Sequence, residues 1–197
     1  MKYIDYVRQK LSTDAFPVFS ISDLRIALKD KGISNDYLYI LIHTLLKKKE
    51  IIRITKGVYT FHDDAAVVGF AFKPFYYGLE NALAIRGISG QGMNFTIITS
   101  RSVRVGNRNF NGRNYSISRI DKRLLFGYDL VKYSRFWLPV SDIEKSAIDM
   151  VYFRYVIREE LLEGIRKGID KKKLNKYLGC YKPEFRLRVL KALRMRG

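Results

Sequence analysis

Apolar residues recur at helical intervals three times near the start of the chain. Ile4, Val7 and Leu11 fall three and four apart, which gives one apolar face to a helix beginning at Tyr3. Leu24, Ala27 and Leu28 make a second stripe, with Ser20 or Ser22 placed to accept the first free amide protons and Gly32 to end the turn. Ser34 caps a third helix, where Leu38, Leu41, Ile42 and Leu45 share one side and Asp36, Ile40, His43 and Lys47 the other. Lys47-Lys48-Lys49 then puts positive charge at the negative end of that helix. Ile51–Thr55 and Val58–Phe61 are β-rich runs on either side of Lys56-Gly57, which predicts a hairpin, and Pro17–Ser20 is short and extended. Helices followed by a two-stranded ribbon are the order of a winged helix-turn-helix, expected here over residues 1–68.

The remainder, 69–197, has a different rhythm. His62–Gly69 is the expected connection, and Gly78–Arg86 forms a short helix that Gly87 stops. Phe95–Thr99, Val103–Val105, Tyr115–Ile120 and Phe136–Val140 are short β-branched or aromatic runs between Gly/Asn turns, hence a small sheet. Ser141-Asp142-Ile143-Glu144 matches a capping box and opens a helix carrying Ile143, Ala147, Ile148, Val151 and Tyr155, with a break near Arg154. Leu161, Leu162 and Ile165, then Leu174, Tyr177 and Leu178, mark two further helices, and Pro183 opens a last one. The expected fold class is α+β: an N-terminal winged helix-turn-helix, then a small mixed domain with a short antiparallel sheet and C-terminal helices.

Charge narrows the partners. The 197 residues include 37 Lys+Arg and 19 Asp+Glu, a net +18, of which residues 1–66 hold only +3. Residues 101–123 carry seven basic side chains against Asp121 alone, and 154–197 carry fourteen against five acidic ones. Such a field attracts polyanions, because neutralising phosphates releases condensed counterions. A generally basic surface or an acidic protein partner is the plainer alternative. Without a long apolar run or a leader-like start, the expectation is a soluble cytoplasmic protein with no membrane contact.

On the winged reading, Asn35, Asp36, Tyr39, Ile40, His43 and Lys47 face double-stranded DNA from the third helix, with Arg53 and Lys56 from the wing. Asn35 and Asp36 serve equally well as helix-cap residues, Tyr39 as a core-margin side chain and His43 as a surface imidazole. Arg101, Arg104, Arg108, Arg113, Arg119, Lys171, Lys172 and Lys173 are the candidates for a secondary contact with nucleic acid or a partner.

Tyr77-Gly78-Leu79-Glu80-Asn81-Ala82-Leu83 entering a helix, and Val140-Ser141-x-x-Glu144-Lys145-Ser146-Ala147-Ile148-Asp149 passing from strand to helix, accompany the N-terminal pattern. In that combination the chain resembles the AbiEi antitoxin family of transcriptional regulators over nearly its whole length. The resemblance implies an antitoxin that represses its own operon and that counters a nucleotidyltransferase-like toxin; a homodimer on the promoter is one arrangement such a regulator can take. Glu144, Lys145 and Asp149 match that family's signature and are read as structural.

Catalytic chemistry finds little support. A metal-dependent nuclease would draw on Asp142, Glu144, Lys145 and Asp149, yet it also needs an acid from a neighbouring strand, and those strands are basic. Gly87–Gly92 follows a helix and precedes a strand, the reverse of a phosphate-cradling loop, and is read as a turn. Cys180 is single, which excludes an internal disulfide, and is read as packing, while His43 and His62 stand too far apart for a shared metal. The expectation is no enzyme, no metal and no cofactor. A sequence-nonspecific nucleic-acid binder without a toxin partner, and less favourably the nuclease, are the alternatives to the regulator.

Overall fold

A computed structural model describes residues 3–90 and 94–195. It is mixed α+β, with an antiparallel sheet near the N-terminus and a larger mixed sheet beyond it. The first three helices are α1 (Ile4–Leu11), α2 (Ile21–Ala27) and α3 (Asn35–Lys47). They enclose Val7, Leu24, Leu28, Leu38, Leu41 and Leu45, the stripes that the periodicity marks. Ser20 caps α2 in a reciprocal box with Asp23, and Ser34 caps α3 by accepting from the Tyr37 amide. Short strands β1 (Phe19–Ser20), β2 (Ile52–Thr55) and β3 (Val58–Thr60) pair antiparallel in the order β1-β3-β2. Gly57 turns the β2–β3 hairpin at φ +76°, a left-handed conformation a side chain would disfavour.

The second sheet has six strands in the order β6-β7-β5-β4-β9-β8: β4 (Phe75–Tyr77), β5 (Phe95–Thr99), β6 (Gly106–Phe110), β7 (Arg113–Arg119), β8 (Tyr128–Tyr133) and β9 (Phe136–Ser141). The expected short antiparallel sheet is therefore corrected. β4 runs parallel to β9 and β5 to β7, while the remaining pairs are antiparallel. The parallel β5–β7 pair arises because the chain from β5 reaches β6 first and then hairpins back into the sheet as β7. Val103–Val105, expected as a strand, is loop, and the edge strands β6 and β8 went unread because neither is buried enough to need an apolar alternation.

One face of this sheet buries Tyr77, Ile97, Ile117, Leu138 and Val140 beneath a 3-10 segment, Ala65–Phe72. That segment was expected to begin as a plain connection. Its apolar run Ala65-Ala66-Val67-Val68 is instead fully covered, and the expected boundary at 68 falls inside it. Gly69 lets it approach: a Cβ there would stand 2.1 Å from the Phe75 ring, and the Gly69 amide donates to the Tyr77 hydroxyl at 2.8 Å. The N-terminal sheet leans on the same core through Val18, Ile52, Ile54 and Val58. A polar clasp joins the two units, since Arg135 donates to His62 Nδ1 at 3.0 Å and reaches Asp14 at 3.5 Å.

The opposite face, with Tyr76 and Ile98, lies under α4 (Leu79–Ile85) and α5 (Ile143–Tyr152), backed by α6 (Glu159–Gly168), α7 (Lys171–Leu178) and α8 (Pro183–Ala192). The cap of α5 is Asp142, not the expected Ser141. Asp142 accepts from the Lys145 amide at 2.7 Å, while the Ser141 hydroxyl meets Ser146. α5 ends before Arg154, whose positive φ supplies the expected break. Cys180 is exposed, so its reading as a packing residue is also corrected.

Inside this layer Lys145 and Asp149 form an ion pair from which both side chains are wholly excluded from solvent. The Tyr76 hydroxyl donates to Asp149 at 2.6 Å, and Lys145 also reaches the Tyr181 oxygen at 3.2 Å. Burial lowers the Lys145 pKa against the pull of Asp149, and burial raises that of Asp149 against Lys145. Asp149→Asn should therefore cost about 3–5 kcal/mol in urea unfolding, because it strands a buried ammonium, whereas Lys145→Met with Asp149→Leu should cost much less.

His62 gives a pH signature. Burial, then the neighbouring Arg135, hold its pKa below the ordinary 6.5, so the folded chain resists a proton that the unfolded chain accepts. Stability should fall as pH drops below 6.5, and His62→Gln should shrink the difference in Tm between about pH 7.5 and about pH 5.5.

Candidate nucleic-acid interface

Because the apolar stripe of α3 is turned into the three-helix core, its other side is left to solvent. Asn35, Asp36, Tyr39, Ile40, His43 and Lys47 are all exposed, and their spacings of three and four place them along adjoining ridges. Tyr39 and Ile40 remain 57% and 56% accessible and lie side by side on this face. Thr44 donates to the Ile40 carbonyl at 2.8 Å. Arg53 on β2 and Lys56 in the hairpin turn are exposed as well.

α2 contributes residues that the sequence reading passed over. Ile26 is 73% accessible, and Arg25 Nε donates to Asn35 Oδ1 at 3.0 Å. Asn35 therefore orients a guanidinium besides offering its own amide. Both residues lie off the Leu24/Ala27/Leu28 stripe, and that position was the available signal. Together these groups form a surface with protruding apolar side chains and cationic groups, a composition that can meet base edges and phosphates at once.

The two basic stretches of the second unit are placed separately. Arg101, Arg104, Arg113 and Arg119 are exposed around β5–β7. Arg101 Nη1 donates to the Ala71 carbonyl, and Arg108 is half-buried, donating to the Arg104 carbonyl with its guanidinium 5.3 Å from the Phe72 ring. Arg101, Arg104 and Arg108 thus gather beside the 65–72 segment. Lys171–Lys173 form the first turn of α7, capped by Asp170.

Lys171 and Lys172 are exposed, but Lys173 is engaged within the fold. Its ammonium lies 2.9 Å from Asp142 and 3.5 Å from Glu144. Partial burial pulls its pKa down, but the two carboxylates outweigh this and raise it. The carboxylates at the start of α5 are similarly engaged: Glu144 accepts from the Asp170 amide and Asp142 from the Tyr177 hydroxyl, each acting as a tie between α5 and α7. Among the described residues no helix is long and apolar enough to cross a membrane.

No family model matches this chain, and no curated protein matches it. Among solved structures, the crystal structure of the RV2827C protein from Mycobacterium tuberculosis is similar at a TM-score of 0.62 and 15% identity. The likeness spans 98% of this chain and 77% of that one, and at this identity it speaks for the fold alone.

Lys173→Ala should lower stability by about 1 kcal/mol, since half of its role is holding α7 to α5, whereas Lys171→Ala should stay within about 0.5 kcal/mol. Chemical denaturation of the two variants side by side checks this.

Proposed function

We propose that the chain is a DNA-binding transcriptional regulator whose first unit is a winged helix-turn-helix. In this reading α3 enters the major groove and the β2–β3 hairpin reaches the flanking backbone. The observation that carries it is the solvent exposure of the outward ridges of α3, beside an exposed Arg53 and Lys56. The side chains of Tyr39 and Ile40 stay more than half exposed, and a thymine methyl or sugar edge suits them. The net charge of +18 supplies the sequence-independent part of the attraction.

We further infer, from the resemblance to the AbiEi family, an antitoxin that represses its own operon and neutralises a nucleotidyltransferase-like toxin. The second unit, with its exposed arginines and lysines, is then the surface that meets either flanking DNA or the toxin. Co-expression with a neighbouring nucleotidyltransferase gene tests that part: rescue of growth supports it, and persistent toxicity removes it.

Gel-shift titration against the protein's own upstream region tests DNA binding. Lys47→Ala should weaken binding to every duplex and reduce the salt slope by about one, since it removes one phosphate contact. Asn35→Ala should change sequence preference, because it releases Arg25 as well as removing an amide. Equal affinities of both variants and the parent protein would overturn the proposed docking of α3.

A further inference from the structure

On its helical side the six-stranded sheet is only partly covered. α4 and α5 lie over β4, β5 and β9, and the β7–β6 end of the same face is left open. A pleated surface beside a core is expected to be apolar, but this one is not. The strand register aligns Thr96, Ser116 and Asn107 in one cross-strand row, and Asn114 with Asn109 in the next. Ser116 donates to Thr96 at 3.2 Å and Asn109 to Asn114 at 3.0 Å, so these side chains stand together on the face.

Opposite this platform, the first turn of α4 supplies Glu80 and Asn81, only 2% and 6% accessible. Tyr155 donates to Glu80 at 2.6 Å, and Arg158 neutralises the same carboxylate. Between the two walls lies a cleft of about 460 Å³, lined by Asn81, Asn94, Asn107, Asn109 and Asn114 as well as Tyr155. A second cleft of about 550 Å³ adjoins it and shares Asn81, Asn94 and Asn114, with Arg113 and Tyr133 on its wall. Volumes of this size suit a small planar ligand.

The chemistry of the lining limits what would bind. An apolar helix would lose the hydrogen bonds of the carboxamide rows, and a phosphate would find amides and a carboxylate on the floor, with cationic groups at the margins. A carboxamide presents a donor and an acceptor side by side, which is the pattern of a nucleobase edge, and Asn pairs two-fold with adenine in this way. Unpaired bases are read through such edges while an aromatic ring supports their faces, a part open to Tyr155 or Tyr133.

We propose that this carboxamide cleft is a binding site for the base of an unpaired nucleotide, with the strand's phosphates passing outside near Arg113. The choice of a nucleic-acid ligand rests on the proposed function. The site itself does not involve α3. It would give the second unit a preference for single-stranded or opened nucleic acid, distinct from the duplex contact of the first.

Fluorescence anisotropy on the full chain tests this with three labelled probes: a short adenine-only strand, as DNA and as RNA, the same strand made abasic, and a duplex. The expected result is at least about tenfold tighter binding of the adenine strand than of the abasic one, because one bidentate pair alone discriminates by that much. The preference should vanish in Asn107→Val with Asn114→Val, both exposed sheet positions, while abasic binding stays unchanged. Asn81→Leu, checked for folding by circular dichroism, should act in the same direction.

Equal binding of adenine and abasic strands overturns the site, as does a preference that survives in the double variant. Displacement of the strand by maltotriose at millimolar concentration also overturns it, by assigning the cleft to a saccharide. Retained duplex binding in any of these cases shows that the cleft alone has failed, whereas loss of duplex binding as well removes the nucleic-acid reading. A difference between the DNA and RNA strands identifies the sugar the cleft accepts.

Discussion

Lys145 and Asp149 hold opposite charges one helical turn apart in a place that water does not reach, and the second unit is arranged around them. An isolated charge at that depth would be costly, so the pair is tolerable only while both members and their hydrogen-bonding neighbours stay in position. Tyr76 brings the central strand β4 to Asp149, while Tyr181, from the α7–α8 connection, comes to Lys145. The Tyr76 and Phe126 rings lie 5.6 and 5.1 Å from the ammonium and complete its surroundings. One interaction thus ties α5 both to the sheet, through Tyr76, and to the α7–α8 connection, through Tyr181.

The acidic residues at the start of α5 are committed to packing as well. Asp142 caps α5 and accepts from Tyr177, whose hydroxyl is pushed up to about 12 by burial and then by that carboxylate. Glu144 receives the Asp170 amide, and Lys173 links Glu144 to Asp142. A cluster that reads along the sequence as two or three acids and a lysine is thus the joint between α5 and α7. The surfaces on which the proposed contacts rest are the ones less committed to packing: the outer ridges of α3, the exposed arginines, and the polar end of the large sheet.

The helices were legible in the sequence because of their one-sided apolar stripes, and several also open on a residue that favours a helix start. Ser20, Ser34 and Pro183 all sit where the periodicity starts. The outward face of α3 followed directly, since the inward positions determine the remainder. Sheet order was not legible: strand direction depends on crossings whose partners are far apart in sequence, and Tyr77 meets Val140 in parallel across a stretch of chain that no local pattern connects. β6, reading Gly-Asn-Arg-Asn-Phe, has almost no strand-forming residues and is a strand because β7 offers it an edge. The asparagine cleft was hidden for the same reason, as it is assembled from α4, β5, β6 and β7 and exists only once those strands are in register.

The position of α3 relative to the rest of the chain also follows from packing. The inner side of the N-terminal sheet is closed by the 65–72 segment through Val18, Ile52, Ile54 and Val58, and that segment is in turn a wall of the large sheet's core. The hairpin that would follow a DNA backbone thus shares apolar contacts with the second unit, and the clasp of Asp14, Arg135 and His62 adds a polar tie beside them. Arg101 is bound to the same segment through the Ala71 carbonyl, so it keeps a set relation to the hairpin. On the proposed reading, a duplex engaged by α3 and a strand held in the asparagine cleft would be presented to each other at a separation that these contacts set.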